Sequence, residues 1–124
     1  MKKIFTIMVL VGLSSFSIAN EMYRAPSNGD SGTYFVLSVK KTGDRQFKVL
    51  TSRIGKENAY TDFTELEINC RVKQYFELAG SSEDGKKQKP SKPLKDWSKQ
   101  SKWTSLVFGS SKSDLVSFIC EKYK

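Results

Sequence analysis

The chain contains no histidine. That removes the side chain most often used as a general base near neutral pH and the imidazole of the common zinc sites. Cysteine occurs only twice, at Cys70 and Cys120. A catalytic thiol needs an activating base beside it, so neither cysteine reads as a nucleophile. No Gly-rich phosphate loop, dinucleotide fingerprint or calcium loop is present. Glu65 and Glu67 fall on one side of an alternating run. Neighbouring acids on a wet strand face are ordinarily solvated. The sequence therefore reads as a non-enzyme with no metal and no cofactor. Acid is also scarce, with 13 Asp+Glu against 21 Lys+Arg and a net charge of +8. No internal repeat is visible, and no apolar run reaches the roughly 20 residues of a membrane-spanning helix.

The first nineteen residues, MKKIFTIMVLVGLSSFSIA, have the order of a secretory signal peptide. Lys2 and Lys3 form a basic start, Ile4 to Leu13 an apolar stretch, and Ser17-x-Ala19 a small-x-small cleavage pattern. Cleavage after Ala19 leaves 19 basic against 13 acidic residues, a net charge of +6. No cysteine follows the apolar stretch to carry a lipid. The expected destination is the periplasm or beyond. In such an oxidising compartment an even, minimal cysteine count predicts a Cys70–Cys120 disulfide.

Residues 20–32 are polar and aperiodic and read as a flexible lead to a single domain over 33–124, since a chain this short builds one modest core. Thr33 to Lys40 alternates, as does Gln46 to Ile54, with Thr42-Gly43-Asp44 between them. This predicts an antiparallel hairpin. Thr64 to Leu78 places Leu66, Ile68, Cys70, Val72, Phe76 and Leu78 on even positions, predicting one long strand with one wet face that can bend midway. Trp103 to Phe108 reads as a further strand with Trp103 in the core. Ser111 to Tyr123 reads as a helix with a Ser111-x-x-Asp114 cap and an apolar stripe of Leu115, Val116, Phe118, Ile119 and Tyr123. The fold expectation is α+β: an antiparallel sheet of about four to five strands, one C-terminal helix and one disulfide.

The segment from Gly80 to Lys102 is of different composition. Pro90, Pro93, several serines and dense lysine predict a long, mobile basic loop. Lys86, Lys87, Lys89, Lys92, Lys95, Lys99 and Lys102, with Trp97 among them, form the candidate partner-binding set. Lysine attracts phosphate, sulfate or carboxylate without reading sequence, and tryptophan supplies a stacking face or an apolar anchor.

Ile68-Asn69-Cys70-Arg71, then Glu83-Asp84-Gly85, Trp103, Gly109-Ser110 and the closing Ile119-Cys120 resemble the surface-adhesin protein E-like family of small exported bacterial proteins. The likeness covers about half of residues 20–124. It departs at Phe108, where the family's turn often has proline, and in lacking a lipidation cysteine. It implies a sheet with a C-terminal helix, the Cys70–Cys120 disulfide and a non-enzymatic, adhesin-like role. The expected function is an exported binding module engaging an acidic macromolecule: a protein, an anionic glycan or an envelope component. The alternatives are an inhibitor or immunity-type protein of a periplasmic enzyme, and a nucleic-acid binder in DNA uptake.

Overall fold

A computed structural model describes residues 16–27 and 30–123. Residues 1–15, which hold most of the expected signal peptide, lie outside the described residues. Alternation over the first two runs produces the expected hairpin. Strands β2 (Thr33–Gly43) and β3 (Gln46–Ile54) pair antiparallel with Gly43 opposite Gln46. The turn itself is Asp44-Arg45, with Arg45 at φ 57°. Strand β4 (Tyr60–Asn69) pairs with β3 without a register break.

The run from Thr64 to Leu78 is two strands rather than one. β4 ends at Asn69 and β5 (Gln74–Asp84) returns beside it. The side-chain oxygen of Asn69 accepts the amide of Arg71 at 2.9 Å, and Lys73 takes a left-handed φ of 55°. An Asx turn of this kind reverses the chain without glycine or proline. Because Asn69 stands opposite Gln74 and Ile68 opposite Tyr75, the core parity switches across the turn. Tyr75 joins the core, while Phe76 stands opposite Glu67 on the other face. The continued even stripe was a coincidence of two strands.

Among the described residues the sheet has seven strands, more than expected, because the Thr64–Leu78 run divides in two and two segments not expected as strands join it. β1 (Phe16–Arg24) pairs antiparallel with β2, so residues 20–24 of the expected flexible lead are strand. Within the basic segment, β6 (Lys95–Asp96) pairs with Ala79–Gly80 of β5. β7 (Thr104–Ser105) pairs with Gln74–Tyr75. The expected Trp103–Phe108 strand is thus reduced to two residues. Val107 to Ser110 forms a turn closed by the Ser110 amide on the Val107 carbonyl at 3.0 Å. Gly109 at φ 86° occupies its third position, the signature of a type II turn. Phe108, at the second position, is 99% exposed.

The helix α1 (Ser111–Lys122) lies on one face of the sheet. Its cap is Ser110, one residue earlier than expected, whose hydroxyl accepts the Ser113 amide at 3.1 Å. Leu115, Val116 and Ile119 are fully buried against Val36, Val39, Phe47, Val49, Leu66 and Ile68. Cys120 in the last turn is bonded to Cys70 at the end of β4, with Cα atoms 5.6 Å apart. At the opposite end Arg24 donates to the Gly109 carbonyl and to Asp114, both at 3.1 Å. Asp30 receives Gly32, Tyr34 and Arg53. Its carboxyl is held at about 2, below the ordinary range, first by the Gly32 amide and then by the Tyr34 hydroxyl.

The other face of the sheet is covered too. Ser52 stands opposite Phe63 and Ile54 opposite Thr61, and all four are buried. Lys86, Lys87 and Gln88 border Ser52 and Ile54 there, and the Lys87 amide bonds to Thr61, so this end of the sheet is covered from beyond β5.

Candidate binding surface along the β5 edge

The basic segment wraps the outer edge of β5. Its first anchor is Thr61, fully buried, whose hydroxyl donates to the Gly85 carbonyl at 2.7 Å and accepts the Lys87 amide at 2.9 Å. Its second is Glu83, which stands opposite Thr61 and is buried. Both the hydroxyl and the amide of Ser91 donate to this carboxylate, at 2.7 and 2.9 Å. These bonds, hydroxyl first, hold the Glu83 carboxyl below the usual range. The third anchor is β6, followed by the Trp97 amide on the Leu78 carbonyl at 2.8 Å. Asp96 accepts the hydroxyl and amide of Ser98, which lower its pKa.

Trp97 explains Gly80. A Cβ on residue 80 would stand 2.2 Å from the Trp97 ring, so only glycine lets the indole lie against β5. Gly80 pairs with Thr64, while Glu83 pairs with Thr61. These positions alternate across the pleat, so residues 91–97 pass from one face of the sheet to the other. The expected mobile loop is therefore tied down at both faces and at the edge, by side-chain and main-chain bonds that composition does not reveal.

The seven lysines of the sequence reading do not form one patch. Lys92 and Lys95 join Trp97 around a cleft of about 620 Å³ whose floor carries Asp62, Thr64 and Glu77. Lys86 and Lys87 line a separate groove of about 170 Å³ beside Leu37 and Ile54. Lys87 and Lys92 both flank the Glu83–Ser91 pair. Lys89, Lys99 and Lys102 are exposed outside these grooves. Among the described residues none of the seven forms an ion pair. Trp103 lies apart from Trp97. It is 41% exposed and packs on Phe76, with ring centroids 5.6 Å apart, instead of entering the core.

Asp62, Glu77, Gly80 and Glu83 were not among the sequence candidates. Asp62 accepts the Ser82 hydroxyl, and Glu77 lies 3.6 Å from the Lys112 ammonium of α1. Placing them needs the β4–β5 register and its bulge between Glu65 and Leu66, and only the Ser-Gly character of 80–82 hinted at a close approach. Of the acids that were considered, Glu67 accepts the Thr42 hydroxyl and faces Lys48 across the sheet. Among the described residues no cluster of three or more metal-ligating side chains occurs, and no described helix is long and apolar enough to cross a membrane. The disulfide suits an extracellular or periplasmic protein. Compared with family models, curated proteins and solved structures, the chain matches none.

Proposed function

We propose that this chain is an exported, non-enzymatic binding module that engages an acidic macromolecular partner through the Lys86–Lys102 segment. One observation carries the reading: seven lysines with no ion pair among the described residues stand on a segment fixed to the sheet edge through Thr61, Glu83 and β6. An anchored basic segment presents its charge with less ordering cost on association than a free loop. The resemblance to surface-adhesin protein E-like proteins agrees with a non-enzymatic role, at the cell surface or in the periplasm.

The test replaces all seven lysines by serine and measures capture of partners from envelope lysate and from serum at low and high salt. The variant is expected to lose capture while keeping the folded circular dichroism spectrum at 25 °C, since exposed substitutions change stability by roughly 0.5 kcal/mol or less each, about 3.5 kcal/mol at most for seven. Undiminished capture overturns the reading. The inhibitor alternative is favoured by a different feature. Phe108 stands fully exposed on its turn beside Val107, the form of an apolar anchor for a protein pocket. Binding that resists salt and is lost in Phe108→Ala would select that reading.

A further inference from the structure

We propose that the cleft between Trp97 and the β4–β5 face binds an acidic saccharide, a sugar chain carrying carboxylate or sulfate groups. The inference rests on the basic segment being a binding surface and assigns the chemistry of its partner. Asp62, Thr64 and Ser82 share one face of β4 and β5: Asp62 stands opposite Ser82, and Thr64 opposite Gly80. Helix α1 covers that same face farther down, over Leu66 and Ile68. Beyond it the floor is polar and the wall is Trp97.

Each element of the cleft fits one part of a sugar. The indole is half-buried, rests on Gly80, and is held by its own amide and by the Gln100 amide and Ser101 hydroxyl on its carbonyl, at 2.9 and 3.0 Å. A fixed aromatic face carries negative charge density that attracts the polarised C–H face of a pyranose. Asp62 and Glu77 are acceptors for sugar hydroxyls, and charged acceptors make the stronger hydrogen bonds. Lys92 and Lys95 at the rim supply cations for the acidic substituents. The volume of about 620 Å³ lies within the roughly 300–1,000 Å³ of small-ligand sites. The two carboxylates decide against nucleic acid: Asp62 and Glu77 accept hydroxyl donors, which every ring of an acidic saccharide carries and a phosphodiester backbone lacks.

The experiment titrates the purified, oxidised protein, in a Trp103→Phe background, with three probes while following Trp97 fluorescence and heat of binding. The probes are a sulfated glucosamine–uronic acid hexasaccharide of the animal-matrix type, an unsulfated oligouronate of the bacterial-polysaccharide type, and linear polyphosphate of matched charge. Binding of either saccharide with a change in Trp97 emission is expected, and the tighter of the two identifies the source. Trp97→Ala should weaken that binding about tenfold or more, Trp97→Phe should restore most of it, and Asp62→Asn should weaken it about tenfold, the scale of one charged hydrogen bond. The melting temperature of Asp62→Asn should stay close to that of its parent. If polyphosphate binds as tightly as the saccharides and none of these variants changes saccharide affinity, the cleft is overturned while the lysine reading stands. Saccharide binding that survives the seven-lysine replacement but is lost in Trp97→Ala leaves a sugar cleft without its cations and overturns the acidic assignment together with the lysine reading. No binding of either saccharide overturns the cleft.

Discussion

Reduction of the disulfide is the perturbation with the most direct magnitude. Cys70 and Cys120 are separated by 50 positions and both are buried. The bond joins the end of β4 to the last turn of α1, the two elements whose side chains make up much of the core. For a closed loop of this length the chain-entropy relation gives about 4 kcal/mol at 25 °C. A domain of this size is stable by roughly 5–15 kcal/mol, so reduction removes a large fraction. At about 4 °C per kcal/mol for a chain near 100 residues, the melting temperature should fall by about 16 °C. The assay is far-UV circular dichroism on heating with and without dithiothreitol. A Cys70→Ala/Cys120→Ala variant serves as the control that dithiothreitol cannot change. Oxidised and reduced proteins melting within about 3 °C of one another would refute the reasoning, because the tie between helix and sheet would then add nothing.

Four further outcomes test other parts of the structure. Asp30 has a depressed pKa in the folded chain, so its contribution is present above the ordinary carboxylate pKa near 4 and is lost as pH falls toward about 2. Asp30→Asn should flatten the acid limb of a pH–stability curve in that window, and an unchanged limb would contradict it. Phe108→Pro should be neutral or raise stability by about 0.4–1 kcal/mol, since proline suits the second position of a type II turn. Gly109→Ala should cost about 1–2 kcal/mol from its left-handed backbone alone, because no heavy atom lies within 4 Å of the added methyl. Urea titrations measure both. Glu83→Ala should speed amide hydrogen exchange at Lys87 and Ser91 with little change at core amides such as Val49, and exchange rising everywhere would show that the anchor is not local.

Which parts of this structure were legible in the sequence depended on whether local pattern or long-range register decided them. The β2–β3 hairpin and α1 follow from alternation and from the Leu115–Ile119 stripe, and two cysteines in an oxidising compartment give one pairing. The β4–β5 turn was hidden because residues 70–73 contain neither glycine nor proline. Gln74, the one polar residue on the even stripe, was its only trace. β1 escaped because its apolar part overlaps the end of the expected export signal; cleavage after Ala19 would leave Asn20–Arg24 of that strand. In the basic segment composition reported charge correctly but concealed order, because the anchors are a buried threonine and a buried glutamate paired across β4 and β5. The lysines of the candidate surface were readable for the same reason that Asp62 and Glu77 were not: charge density is local in sequence, whereas a cleft is a matter of register.

The most direct measurement of the central claim is a ¹H–¹⁵N correlation spectrum of the oxidised protein titrated in turn with the sulfated hexasaccharide and with the oligouronate, read for the tighter of the two. Signals of residues 80–82 and 91–99, and the Trp97 indole, should shift together in one saturable process. Shifts confined to the Val107–Phe108 turn, or none along the Lys86–Lys102 segment, would contradict the assignment of the partner surface to the β5 edge.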